Sequence, residues 1–592
     1  MPAVAVAAGA LIALQLLVRA VLAFRGYFYW DDLILVGRAG THRLLSAQYL
    51  FDDHDGHVMP GAFLVAGAIT RLAPLVWTWP AISLVVLQLL ASLALLRALW
   101  VILGWRPVLL IPLTFALFTP LGVPGFAWWA AALNSLPMLT AMAWVCADAI
   151  LLVRTGNRRY ALTAALAYLG GLLFFEKSAV IPFVAFTVAA LLCHVQGDPA
   201  ALRTVWRRGA RLWVAALTIT AAWVAVYVIV VDQQRWSWDL PMTWDLLRRS
   251  VTHGIVPGLA GGPWDWQRWA PASPWGVPPV TVMVLGWLAL SAAVAISLAR
   301  KQRIGPVWLA AFGYAIACQI PIYLMRSSKF TALELAQTLR YFPDLVFVLA
   351  LLAAVGFCAP NRAGSGWLDA SRARTVAVLA LAAAFTASSL YSTATFLTSW
   401  RDNPAQPYLQ NAIRGLAQAR ASSSAPLLDQ EVDPLVLQRV VGPENLASHM
   451  FALIRDRPEF ARSTTQLRML DSTGRLVDAN VTWVRTVAPG PVPRCGYFVE
   501  SGSGPNRAVR MPLDGPLLPA EWTAEINYLA NGEGAILLSL SEGPETKVAV
   551  HPGLNRVFVR LSGAGDAITV RATTAALAVC LASGPVGYMA PH

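Results

Sequence analysis

Eleven stretches of this chain are apolar enough to be solvated by lipid. They lie at about 3–24, 80–103, 107–120, 131–153, 159–175, 178–196, 211–232, 278–299, 307–325, 342–358 and 375–397. A helix needs about 20 such residues to cross the hydrocarbon core. Inside lipid only helices or closed barrels satisfy every backbone polar group. The expected fold is therefore a polytopic α-helical membrane protein with about eleven transmembrane helices. Composition agrees: 57% of the 592 residues are hydrophobic and 13% charged, against roughly 25% charged in a soluble domain. The segment 60–76 is short and interrupted by Arg71 and Pro74. It reads as an interfacial or re-entrant helix, with a full span as the alternative. The first apolar run carries one charge, Arg19, and reads as a retained span rather than a cleaved leader.

Charge sets the orientation. The formal net charge is +13, but the arginines sit in short clusters between apolar runs, which explains the basicity without nucleic acid. Arg97 and Arg106, then Arg154, Arg158 and Arg159, then Arg203, Arg207, Arg208 and Arg211 mark alternate connections. Arg300, Lys301 and Arg303, then Arg362, Arg372 and Arg374 mark two more, and Asp198 and Asp369 are the acids among them. By the positive-inside rule these connections are cytoplasmic. An odd number of spans then puts the N-terminus inside and the C-terminal part outside, in a multi-pass plasma-membrane protein.

Three regions are expected: a membrane domain over 1–400, a linker with short helices over 401–464, and an extracytoplasmic all-β sandwich over 465–592. In the last region apolar and polar residues alternate between Gly, Pro and Asn turns, as in "VTWVRT", "AEINYLA" and "RVFVRL". Cys495 and Cys580 fall on strand-like segments there, and outside the cytoplasm such a pair suggests a disulfide. Cys146, Cys193, Cys318 and Cys358 lie in apolar runs and read as core residues.

Several charged residues sit where a bilayer makes charge expensive. Asp31 and Asp32 follow the aromatic run "FRGYFYW" at the end of the first span. Acids near a bilayer are functional candidates, although Asp32 before "LILVGRA" could also cap a helix. Further on, "FDDHDGH" holds Asp55 and His57. It reads as a solvated acceptor-binding loop or as a metal loop, though its spacing fits no defined metal motif. Glu176 and Lys177 separate two spans. They read either as an ion-paired turn or as a site where Lys177 meets a phosphate and Glu176 orients a hydroxyl. Arg326, Lys329 and Arg340 run against the positive-inside trend, and a lipid phosphate is their natural partner. The rival for Arg340 is a structural pair with Glu334 or Asp344. The loop 233–277 carries Trp236, Trp238, Trp244, Trp264, Trp266, Trp269 and Trp275, most of which read as interfacial anchors, with stacking on sugars as the alternative. His253 is its titratable candidate.

At these residues the chain resembles the GT-C superfamily of membrane glycosyltransferases, which use polyprenyl-phosphate sugars. The resemblance rests on "WDD" after the first span, on "DGHVMP" feeding an apolar helix, and on "RYFP" opening a late one. His57 and Pro60 match positions of an H-P-P-L element in protein mannosyltransferase and lipid A aminoarabinose transferase relatives, without its middle proline. "RYFP" is similar to an R-Y-x-x-P element with the proline one residue early. The resemblance implies that an acid of the first outer loop, Asp31 or Asp32 with Asp31 favoured, is the general base. It implies a polyprenyl-phosphate sugar donor, arabinofuranose or mannose most of all, and a cell-envelope glycan or glycolipid acceptor. A single base without a covalent nucleophile implies inversion. No cofactor is required by the resemblance, since the superfamily has metal-dependent and metal-independent members. The spans followed by a β-domain are similar to mycobacterial arabinosyl- and mannosyltransferases, whose outer domain resembles a carbohydrate-binding module. A non-enzymatic glycan-binding protein or a lipid-linked sugar transporter is the alternative.

Overall fold

The computed structural model describes residues 3–231, 238–362, 372–501 and 508–592. Trp236 and Asp369 lie outside the described residues, as do the side chains of Arg372 and Arg374. The chain divides into two compact units, one ending at Asn403 and the other beginning at Pro404.

The first unit is helical. Eight helices are long and apolar enough to cross a membrane, and the bent pair Pro107–Phe118 and Pro120–Ala127 makes a ninth if counted as one span. Arg159–Phe174 and Pro343–Cys358 are shorter apolar helices, and so is Pro60–Leu72. At 1.5 Å per residue the 13 residues of Pro60–Leu72 reach about 20 Å, short of the roughly 30 Å hydrocarbon core.

Trp129–Thr155 is the pillar of this unit. Of its apolar window 78% is buried, against 11% for Val280–Arg300. It packs against Thr78–Leu103, Arg159–Phe174 and Ile181–Val195. The outer helices present their leucines and valines outward: Leu14, Leu17 and Val21 are exposed on Ala3–Phe24, while Ile12, Gln15, Arg19, Leu22 and Ala23 are buried. Water would penalise that exposed face and lipid does not. Polar groups inside the bundle are cross-linked. Gln88 donates to Ser92 at 3.2 Å and Ser92 to Gln15 at 2.9 Å. Asp148 is wholly buried between Arg97 and Thr163.

The second unit is built on antiparallel strands. Val509–Ala530 and Gly553–Ala572 pair along nearly their whole length, from Gly553 opposite Ala530 to Val570 opposite Val509. The register shifts at Gly563 and Gly565, where φ is +123° and +120°. A side chain at Gly563 would lie 2.1 Å from the Glu542 carbonyl oxygen, so glycine is required where the strand bends. Met511, Trp522, Ile526, Tyr528, Val557 and Ile568 belong to one apolar core shared with the neighbouring strands. Cys495 and Cys580 are joined by a disulfide.

Residues 404–464, expected as a linker, fold with this unit. Leu427–Leu428 pairs with Phe460–Ala461, and Ser463–Thr464 pairs with Val559–Phe558. The Gln430 amide both donates to and accepts from the Leu470 backbone at 3.1 Å. The Ser-rich composition hid these contacts because each joins residues at least 30 positions apart.

The disulfide closes a loop of 85 residues. Replacing both cysteines by serine is expected to cost the second unit about 2–4 kcal/mol. Calorimetry would show an earlier transition, and an unchanged one would show that the fold does not depend on the bond.

Candidate active site

The two adjacent aspartates have opposite environments. Asp32 is completely buried. Its Oδ2 accepts the Tyr29 N–H at 2.9 Å, and its Oδ1 accepts the Ala130 N–H at 2.8 Å, 98 residues away. Ala130 lies in the first turn of the pillar helix, whose leading N–H groups have no intrahelical acceptor. Asp32 thus ties the first loop to that helix start. Burial raises its carboxyl well above the usual range, while the two backbone N–H bonds pull the other way.

Asp31 opens the Asp31–Thr41 helix and keeps 32% of its side chain exposed. No hydrogen bond reaches its carboxylate among the described residues; His54 Nε2 lies 4.0 Å away. Burial raises its carboxyl to about 6, against the opposing pull of Arg340, His57 and Arg326. His54 is held neutral, drawn down to about 3 by burial, Arg38 and His57.

His54-Asp55-Gly56-His57 is a tight turn. His54 and His57 exchange both backbone hydrogen bonds, and Asp55 and Gly56 have φ of +53° and +86°. Positive φ at both central residues, filled by Asp-Gly, defines a type I′ hairpin turn. The turn sends the side chains of "DDHDGH" apart. Asp52 pairs with Arg38 at 2.9 Å, and Asp53 accepts the Gly56 N–H at 2.7 Å. Asp55 lies 3.5 Å from Arg326, and His57 Nδ1 is 2.7 Å from Glu176 Oε1. Burial lowers the His57 imidazole, but Glu176 more than offsets it and the group is raised. Among the described residues no three His, Cys, Asp or Glu side chains gather as metal ligands.

Glu176 and Lys177 do not pair with each other. Lys177 Nζ reaches Asp344 Oδ1 at 2.9 Å, and Asp344 Oδ2 accepts from the Tyr314 hydroxyl at 2.7 Å. Arg340 pairs with neither Glu334 nor Asp344. Its guanidinium donates to the Tyr341 hydroxyl at 2.7 Å and stacks over Trp128, 4.8 Å from the ring centroid. Its Nε is buried without an acceptor. Burial would push the Tyr341 phenol up, but Arg326 and Arg340 outweigh it and draw the phenol down.

Matching charges one by one leaves a remainder. Asp55 faces Arg326, Glu176 faces His57, and Asp344 faces Lys177. Asp31 and Arg340 stay unmatched. Arg340 is the strongest of the charges acting on Asp31, yet no ion pair joins the two. An acid with no hydrogen bond thus stands within electrostatic reach of a cation with no carboxylate partner.

Backbone strain sits directly before both. Trp30 has φ +44° and the buried Leu339 has φ +55°. Left-handed geometry is costly for large side chains and collects at sites that over-determine it. The Trp30 position is braced by its neighbour Tyr29, whose ring packs on Trp128 and Trp400 at 4.8 and 5.3 Å and whose hydroxyl donates to the Pro271 carbonyl.

Other candidates are not drawn in. Lys329 is exposed on its loop, with its Nζ over Phe330. His253 contacts Thr252. Tyr341, Trp128 and Asp344 belong to the site and were not singled out from sequence as contributors to its chemistry. Adjacency to Arg340 was the available signal for Tyr341.

No protein-family model matches the chain, and no curated protein matches it. Among solved structures it is similar to ArnT from Cupriavidus metallidurans in the apo state. The identity is 15% and the TM-score 0.35, over 76% of this chain and 84% of that one. A likeness at that level fixes no function.

The contrast between the aspartates is measurable by thermal unfolding. Asp32→Asn turns an amide N–H₂ toward a backbone N–H and is expected to cost about 1–3 kcal/mol. Asp31→Asn breaks no hydrogen bond and is expected to leave Tm unchanged or raise it. Asp31 holds its proton to about 6 when folded, above its ordinary 3.8, so its contribution to stability falls as pH rises between those values. Asp31→Asn should remove that component from the Tm–pH curve.

Proposed function

We propose that this protein is an inverting glycosyltransferase of the GT-C type, with Asp31 as general base. It moves a sugar from a polyprenyl-phosphate donor to a cell-envelope glycan or glycolipid. The observation that carries this reading is the unmatched pair: an elevated carboxylate with no hydrogen bond, within electrostatic reach of an arginine with no carboxylate of its own. A phosphate-activated donor needs no acid for its leaving group. The acceptor hydroxyl needs a proton acceptor, and the developing phosphate charge needs a cation. Asp31 supplies the first and Arg340 the second. A base near 6 is ionised at neutral pH and more basic than an ordinary aspartate.

Arg326 is the second phosphate contact, released from Asp55, which is 75% exposed and gives it up readily. Lys177, held by Asp344, acts by fixing the Tyr341 segment; its Nζ lies 3.4 Å from the Tyr341 carbonyl oxygen. Glu176 and His57 orient an acceptor or donor hydroxyl. The site faces the extracytoplasmic side, the N-terminus is cytoplasmic and the second unit lies outside. In that unit a cavity of about 390 Å³, lined by Arg468, Asp478, Asn480, Glu525 and Arg556, is suited to hydroxyl-rich ligands. Arabinofuranose and mannose are the sugars the sequence resemblance favours.

Asp31→Asn is expected to lower transfer at least 100-fold with a polyprenyl-phosphate sugar donor while the protein stays folded. Wild-type kcat/KM should fall below about pH 6 as Asp31 takes up its proton. Full transfer by both Asp31→Asn and Asp31→Ala would end the proposal.

A further inference from the structure

Two arginines are almost completely buried among the described residues, Arg19 at 4% and Arg560 at 8% exposure. Arg560 is fully engaged: its Nε meets Glu521 at 2.6 Å and its Nη1 the Asp429 carbonyl at 2.8 Å. Other span-end arginines are also engaged, Arg154 with the Val101 carbonyl and Arg208 with that of Val153. Arg19 makes no hydrogen bond and no ion pair among the described residues. Its Nη1 is buried without an acceptor, and its guanidinium carbon lies 5.0 Å from the centroid of the Phe126 ring.

That arrangement is costly without an anion, because a buried unpaired charge within a span loses its hydration and gains nothing. The location supplies a second observation. Arg19 shares the inward face of its helix with Gln15 and Leu22, beside the place where the Pro107–Phe118 and Pro120–Ala127 helices bend by 46°. A Cβ built on Gly122, within the second helix of that pair, would lie 3.8 Å from Arg19 Nη2. Broken helices at membrane depth are tolerated where they are buried or line a ligand site. Arg19 lies five residues before Phe24, the end of the span. That places it about 7–8 Å along the helix from the membrane surface on the Asp31 side. The nearest anions of a bilayer are the lipid phosphates at that surface, and a guanidinium fork matches their oxygens.

We propose that Arg19 and the helix break around Thr119 form a phosphate-binding site for a lipid, separate from the Asp31–Arg340 site. The phosphate accepts from the guanidinium, and its acyl or prenyl chain lies along the lipid-facing side of the first span. This inference does not require the proposed transfer reaction.

The test uses the full chain in maltoside micelles, which carry no phosphate. The two probes are a polyprenyl monophosphate and phosphatidylglycerol. Native mass spectrometry counts bound lipid and thermal unfolding reports Tm. Arg19→Gln is expected to keep or raise the ligand-free Tm, because it removes an unpartnered buried charge. It should also lose one bound phosphate lipid and at least tenfold in affinity at that site. Arg19→Lys, which keeps the charge but not the fork, should fall between. Arg340→Gln removes a different lipid if the proposed reaction site is right and none if it is wrong, so the two proposals fail separately. Binding of the polyprenyl phosphate alone identifies a lipid-linked phosphomonoester; equal binding of phosphatidylglycerol identifies a headgroup site. An unchanged lipid count together with an unchanged lipid-induced rise in Tm in Arg19→Gln would overturn the proposal, and so would its failure to fold without ligand.

Discussion

The geometry of the candidate site depends on one fully buried carboxylate. Asp32 spends both oxygens on backbone N–H groups, one from the turn before it and one from the start of the most buried helix. In a low-dielectric interior each of those hydrogen bonds is strong and costly to lose. The link fixes the rotation of the Asp31–Thr41 helix about its axis. Its neighbour Asp31 must then point elsewhere, because adjacent residues on a helix lie about 100° apart. One aspartate is immobilised so that the other is presented.

A second constraint is electrical. Charges near lipid are tolerated when they are neutralised locally, and this chain does so in pairs: Arg97 with Asp148, Lys177 with Asp344, His57 with Glu176. Such pairs set geometry more than they add stability, since desolvation consumes much of the attraction. The residues left over after pairing are therefore the informative ones. Asp31, Arg340 and Arg19 stand out by that subtraction, whereas Lys177 is paired with Asp344 and Lys329, though unpaired among the described residues, is exposed on its loop.

The spans were legible because lipid imposes a length and a composition that survive in one dimension. Each of the eleven apolar runs coincides with a helix or with the bent pair, and the short 60–76 run gives a short helix. Asp31 was legible from its position, and the Asp-Gly of the hairpin turn was visible in "DDHDGH", although its consequence for the side chains was not. What sequence could not carry was pairing across space. Glu176 and Lys177 look like natural partners in the chain, yet they find His57 and Asp344, 119 and 167 residues away. The fate of 404–464 was hidden for the same reason: part of its order comes from pairing with residues far along the chain, as of Ser463–Thr464 with Phe558 and Val559.

The left-handed residues Trp30 and Leu339 set a trade-off for anyone seeking a sturdier version of this protein. Glycine would relax either backbone, and a screen for heat resistance would be drawn to both positions. Yet each is the last residue before a charge whose aim matters, and a relaxed backbone is also a looser one. Robustness and fixed geometry compete at the same two peptide units, so variants selected for durability alone would hold Asp31 and Arg340 less firmly.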